Sequence, residues 1–316
     1  MNNSALFDYI AVEAAQAVPP EVTALYDSFC ATLHRPSGVV AGLFYGSALW
    51  KTPEPDSVWD LYVLVESYDD VSTRRLLKIA GTLLPPNVYY HELRHADGSV
   101  LRAKIAVMTF AQFARHCEGR VLAPQTWARF AQPTRIIATR DAVARAQLTA
   151  QLQNAVLSFH RATAPWVNHA ITIEQFWQLG LTQTYASEFR AERGNRQRGL
   201  VEASRAAFIA RSTLLLSHSD DAKLSLRDGM ITTQLRPLHA RWVRNLQRVR
   251  NGVSKAQHAF RLIKAVFTFA GGIDYLAYKI ERHSGVKLTP SAFARSYPLL
   301  GVWPLFVKGL RARAFR

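Results

Sequence analysis

Two apolar runs rich in β-branched and aromatic residues constrain this chain more than any other feature. The first, "GVVAGLFYGSALW" (38–50), is punctuated by glycine and reaches Gly46 and Ser47. The second, "WDLYVLVES" (59–67), carries Asp60 at its head. Runs of this kind, bounded by Gly and Pro, read as buried strands. A polar stretch with two prolines separates them. The pair is either a plain hairpin or the phosphate-and-metal corner of a nucleotidyl-transferring enzyme. In the second case glycine lets the backbone approach a triphosphate. Backbone N–H groups and the serine hydroxyl then bind phosphate oxygens. A carboxylate across the sheet holds Mg²⁺ (or Mn²⁺). Such enzymes use a second acid at an alternate position of the second strand. Here those positions are Val58 and Tyr62, and neither ligates a metal. By itself the stretch leaves both readings open.

The flanking sequence places more elements. Residues 5–34 are helical around a break at Val18–Glu21. "RRLLKIAGTLL" reads as a short helix closed by Pro85 and Pro86. "NVYYHEL" and "LRAKIAVMTF" form a hairpin with Asp97-Gly98 as the turn signal. "FAQFARHC" and "PQTWARFA" are short helices and "PTRIIAT" is a strand. From Asp141, an N-cap candidate, the pattern turns to long amphipathic helices, with one hairpin at Asp228-Gly229. The expected fold is α/β (α+β): a nucleotidyltransferase-like domain with a mixed sheet over 1–140, then a mostly helical domain over 141–250, for which a winged-helix-like arrangement is one option. A basic amphipathic tail follows over 251–316.

That tail holds 11 Lys or Arg and 2 Asp or Glu, a net of +9 out of +16 for the chain. Such a segment seeks phosphates, in nucleic acid or on anionic lipid. Two cysteines, Cys30 and Cys117, stand in no metal or redox spacing and point to a reducing compartment. The N-terminus shows no secretory signal pattern. The longest apolar stretch of the tail, "AVFTFAGGIDYLAY", is broken by Gly271, Gly272 and Asp274, so no membrane-spanning helix is expected. Apolar residues at helical spacing, interleaved with Arg261, Lys264, Lys279 and Arg282 and including Phe267, instead suit a helix lying in the lipid interface. The expected localisation is cytoplasmic and peripheral to a membrane.

Seven segments in order, from about residue 43 to residue 285, resemble the mitochondrial-type CDP-diacylglycerol synthases, the phosphatidate cytidylyltransferases of the translocator assembly and maintenance protein family. "FYGSALW" is similar to the family's Tyr-Gly-Ser-Gly-Val-Phe. "VWDLYVLV" is similar to its Ile-Asp-Leu-Ile strand, which also carries one early acid. "PPNVYYHEL", "LRAKIAV", "WARFAQPTRII", "TYASEFRAERG" and "SKAQHAFRLIKAVFTFAGGIDYLAYKIERH" resemble its later segments. The chain departs from the pattern at Gln132, Ser187 and Glu188, where the family has Lys, Gly and Asp.

The resemblance implies a distant relative that transfers CMP from CTP to phosphatidic acid with Mg²⁺ at an anionic membrane surface. No specific nucleic acid is expected, and a homodimer is an admissible assembly. It implies Tyr45, Gly46 and Ser47 as the triphosphate cradle and puts Arg102 at the family's basic position. Lys104, on the same strand face, and Lys51, just past the turn, are further candidate nucleotide contacts by their placement. Asp60 would be the catalytic metal ligand, with Glu188 as the candidate second carboxylate. Arg129 and Arg190 would contact phosphate. Each has a plainer reading as turn, ion pair or solvated charge. Glu66 and Glu92 are lesser candidate acids. Two rivals stand beside this expectation: a nucleotidyltransferase acting on RNA or a small alcohol, and a non-catalytic membrane adaptor that kept the fold.

Overall fold

The structure, a computed structural model, describes residues 4–52, 57–94, 98–121, 124–185, 194–218 and 221–250, together with Gly252 and Ser291. The tail with Arg261, Lys264, Phe267, Lys279 and Arg282 therefore lies outside the described residues, as do Glu188 and Arg190.

Two helices open the chain, α1 (Ser4–Ala14) and α2 (Pro20–Cys30). Pro20 starts α2, where its missing N–H has no helical partner to lose. The expected strands follow as β1 (Val39–Tyr45) and β2 (Val58–Val65). Two short helices, α3 (Tyr68–Val71) and α4 (Arg75–Leu83), lead to the hairpin β3 (Asn87–Arg94) and β4 (Val100–Thr109). Then come α5 (Phe110–Cys117), α6 (Gln125–Phe130) and β5 (Arg135–Thr139). These strands build one five-stranded sheet in the order β3-β4-β2-β1-β5. β2 and β4 run parallel and every other pair is antiparallel, so the sheet is mixed.

Side chains of a strand alternate between the two faces. On one face Phe44, Leu61, Val63 and Ile105 pack under Val22, Leu25 and Phe29 of α2. On the other, Leu43, Tyr62, Leu64 and Met108 join a larger core with Phe113 of α5 and Phe130 of α6. Burial on both faces is the physical reason that β1 and β2 read as nearly unbroken apolar runs.

The second half begins with α7 (Ala142–Thr163), whose first turn is capped by Asp141, its Oδ1 accepting the Ala144 N–H at 2.7 Å. Next are β6 (Ile171–Thr172), α8 (Ile173–Tyr185), α9 (Gly194–Ala203) and α10 (Arg205–His218). The hairpin β7 (Leu224–Arg227) and β8 (Met230–Thr233) turns through Asp228 and Gly229, with φ of 51° and 74°, the mirror-image turn that suits twisted strands. β6 adds to it as a third strand. A helix over 237–250, here α11, closes the described part.

The core crosses position 140 without a break. Leu148, Leu152 and Phe159 of α7 are continuous with Leu43 and Tyr62 on one side and with Phe176, Trp177 and Phe208 on the other. The Trp177 ring stacks on both Phe159 (4.3 Å) and Phe208 (4.0 Å). Gly180 makes this possible, because a Cβ there would lie 2.4 Å from Phe159 and from the Thr163 hydroxyl. A second tie spans the fold: the Arg211 guanidinium of α10 pairs with Glu13 of α1, both buried.

Within this core runs a polar chain. Trp177 Nε1–H donates to Ser212 Oγ at 2.9 Å, and Ser212 Oγ lies 3.0 Å from His160 Nε2. His160 Nδ1 lies 2.8 Å from the Val156 carbonyl, which can only accept. The proton therefore sits on Nδ1, and the Ser212 hydroxyl donates to Nε2. Burial pushes the imidazole down to about 4, with nearby Arg211 adding in the same direction. A histidine whose folded value lies below its unfolded value stabilises the fold fully only above the unfolded value, near 6.5. Stability is lost as pH falls from about 6.5 towards 4, by roughly 3 kcal/mol for this group. Urea unfolding of wild type and His160→Gln at several pH values should show a shallower acid slope in the variant; equal slopes would remove His160 from the account.

Two helices of the expected mostly helical stretch 141–250 are not placed individually by the sequence. The sequence of α9, "GNRQRGLVEA", is polar with two glycines and shows no apolar period. That of α11 does carry a helical apolar period, at Leu238, Trp242, Leu246 and Val249. Among the described residues no helix is long and apolar enough to cross a membrane.

Candidate functional site

β1 ends where the chain must turn sharply. Gly46 has φ of +97°, a conformation that L side chains rarely adopt. The next residues, Ser47–Leu49, form a single 3-10 turn, and the Lys51 N–H donates to the Ser47 carbonyl at 2.8 Å. A Cβ on Gly46 would lie 3.0 Å from Asp60 Oδ2 and 3.3 Å from Asp60 Cβ. The bare Cα thus faces the carboxylate directly. Gly46→Ala is expected to cost about 1–3 kcal/mol through the backbone conformation alone, and to displace the carboxylate. A thermal melt checks the first part.

The sheet register assembles the rest. Asp60 is level with Tyr45 on β1 and with Lys104 on β4, and Lys104 is level with Tyr90 on β3. Partners in register share a face. Tyr45, Asp60, Lys104 and Tyr90 therefore form one row across four strands. The next row outward holds Val58, Arg102 and Glu92. There the Arg102 Nε lies 3.5 Å from Glu92 Oε1, and the Tyr90 hydroxyl donates to the same oxygen at 2.8 Å. Arg94 reaches the other oxygen at 3.1 Å. From α6, the Arg129 guanidinium stands 5.1 Å from the Tyr45 ring centre, within cation–π range.

One row inward the chemistry changes. Tyr62, two residues along β2 and on the face of Asp60, is 1% exposed. Its ring packs against Tyr45 (5.6 Å), Phe130 (5.0 Å) and Phe113 (6.4 Å). The position of a second acid is thus part of the core floor. The site lies where the covering helices stop: Tyr62 is sealed, whereas Asp60, Lys104, Arg102 and Arg129 are half-buried.

The other sequence candidates divide plainly. Lys51 is exposed just past the turn. Glu66 lies beyond the far end of β2, six residues and about 20 Å along the strand from Asp60, where it pairs with Arg140 at 3.0 Å. Tyr89 turns to the opposite face and packs on Phe29. His91 bonds Ser28 and His116 bonds Thr126. Among the described residues no three His, Cys, Asp or Glu side chains converge as a metal site. Mg²⁺ is commonly held by one or two carboxylates, with phosphate oxygens and water completing its shell. Asp60, turned towards a glycine with no side chain to cover it, fits the single-carboxylate form of that arrangement. What sequence reading could not supply was the pairing of Lys104 with Asp60, because β2 and β4 are parallel and not consecutive.

Comparison with models of known protein families and with curated proteins found no match.

Proposed function

We propose that the chain is a phosphatidate cytidylyltransferase, converting CTP and phosphatidic acid to CDP-diacylglycerol and pyrophosphate. In this reading residues 1–140 carry the nucleotidyltransferase-like part, and the mostly helical residues 141–250, for which a winged-helix-like arrangement is one option, share its core. The protein works as a peripheral protein at an anionic membrane surface. One observation carries the reading: a carboxylate faces a left-handed glycine at a strand end, with a lysine in the same row of the sheet and an arginine on the neighbouring helix. The order of motifs that resembles the cytidylyltransferase family supplies the substrates.

Asp60 would hold Mg²⁺, which supplies charge neutralisation on the α-phosphate and on the departing pyrophosphate when bound. Gly46 and Ser47 would admit the triphosphate close to the backbone. Lys104 sits beside Asp60 and would meet the reacting phosphates as a compact positive charge. Arg129, steadied on the Tyr45 ring, presents a planar fork suited to the second phosphate. An oxygen of the phosphatidate phosphomonoester attacks the α-phosphorus. A P–O bond forms there as the bond to the bridging oxygen of the β-phosphate breaks, and that electron pair leaves with pyrophosphate. The side chains position and neutralise, which is most of what such a transfer needs.

Incubation of the full chain with labelled CTP, Mg²⁺ and phosphatidic acid should move label into lipid. A second reading, the non-catalytic adaptor, draws on the aromatic core residue at position 62. Lipid binding with no label transfer at any metal concentration would select it and end the first. Transfer to RNA or a small alcohol, with none to lipid, would select the other rival.

A further inference from the structure

Helix α11 is built inside out. Its inward side is held by polar bonds. Gln247 Nε2 donates to the Ala162 carbonyl at 2.9 Å, Arg244 to the Pro165 carbonyl at 2.6 Å and Arg250 to the Val121 carbonyl at 2.7 Å. Trp166 Nε1 donates to Gln247 Oε1 at 2.6 Å. Its outward side is apolar. Leu238 is 82% exposed, Trp242 62%, Leu246 43% and Val249 65%. At 3.6 residues per turn these four fall within an arc of about 80°. They form one continuous stripe rather than scattered surface residues, and such a stripe marks an interaction surface.

Charge decides what covers it. Residues 237–250 contain four arginines, at 241, 244, 248 and 250, and no Asp or Glu. Arg241 and Arg248, both exposed, border one side of the stripe. A second copy packed stripe to stripe would set arginine against arginine with no acid on the helix to offset them. The chain that follows, 251–316, has 11 Lys or Arg against 2 acids and offers no counter-charge either. An anionic lipid surface supplies both requirements, a hydrocarbon boundary for Leu and Val and phosphates for Arg. Tryptophan is also favoured at the headgroup level.

We infer that α11 is a lipid-docking helix that lays Leu238, Trp242, Leu246 and Val249 into the headgroup–acyl boundary of an anionic membrane. The inference deepens the reading above, since a lipid substrate gives the surface its use, but it rests on different residues. Its polar bonds to α7 and to the following turn hold the stripe in a fixed orientation. The body of the protein thus meets the membrane in one pose.

The test uses the full chain with residues 251–316 intact. Wild type, the pair Leu238→Glu/Trp242→Glu, and Arg241→Glu are floated with phosphatidylcholine vesicles, with and without phosphatidylglycerol. The apolar pair should lose about tenfold or more of its partition onto anionic vesicles. Arg241→Glu should bind more weakly, with a flatter salt dependence. The mutated side chains are exposed, so melting temperatures should hold. Phosphatidate in detergent micelles separates the two proposals. The pair should retain label transfer there while losing vesicle binding. Vesicle binding equal to wild type in the pair variant would overturn the docking assignment even if transfer is intact. So would a wild-type dimer that the pair converts to monomer without changing vesicle binding, since a second copy would then cover the stripe. Vesicle binding lost in the pair, with no label transfer in wild type, would leave the docking helix standing and remove the enzyme.

Discussion

Replacing Arg211 by alanine is expected to lower the unfolding free energy by about 3–5 kcal/mol, the usual loss when one partner of a buried ion pair is removed. Against a total stability of about 5–15 kcal/mol this is a large fraction. The side chain is 1% exposed, pairs with Glu13 and also donates to the Ala131 carbonyl at the end of α6. Its loss strands a buried carboxylate and a buried carbonyl at once. Glu13→Ala should cost at least as much. Glu13 also faces Arg135, whose guanidinium is held below its usual value by burial, with Glu13 the main opposing influence and Arg211 a smaller lowering one. Without Glu13 two arginines confront each other beside α1. The double variant Glu13→Leu/Arg211→Met should recover much of the loss, because a matched apolar pair carries no stranded charge. Urea midpoints at unchanged slope measure all three. Singles that each cost under about 1 kcal/mol would show that water reaches the pair.

The second large effect belongs to Asp60. If the proposed chemistry is right, Asp60→Asn should reduce CMP transfer by about a thousandfold, the scale of losing a metal-borne charge at a phosphoryl-type transition state. The substitution keeps the shape and removes the charge. Because Asp60 is half-buried at the end of the covered face, the fold should persist, and circular dichroism checks this. Glu92→Gln serves as the contrast. Its carboxylate is already engaged by Tyr90, Arg94 and Arg102 in the adjacent row. It should leave transfer within a few-fold of wild type. A drop with Glu92→Gln and none with Asp60→Asn would move the site one row outward.

How far the sequence led can be judged from single elements. β1 and β2 were readable because burial on both faces demands apolar residues at nearly every position. The Asp141 cap and the Asp228-Gly229 turn were readable because each answers a local backbone need. The five-stranded mixed sheet bears out the expected α/β class. The row Tyr45–Asp60–Lys104–Tyr90 was not legible as a row. Each residue could be named from its own strand, but their alignment depends on a parallel pairing that no local signal encodes. Tyr62 could be seen as a missing ligand but not as the floor of the site, since that role comes from Phe113 and Phe130 on helices far along the chain. The helical spacing of α11 is in the sequence, but which way its apolar stripe faces is not, since that is set by the bonds of Arg244, Gln247 and Arg250 to distant carbonyls.

The bond between Glu13 and Arg211 joins residues 198 positions apart. On a ribosome adding about 5–20 residues per second, the carboxylate would wait roughly 10–40 s for its guanidinium to emerge. Until then the Glu13 carboxylate has no counter-ion at its buried seat on α1. The tie between the first helix and α10 would therefore be among the late contacts of the fold, closing only after strands β1 to β5 and α7 are already made.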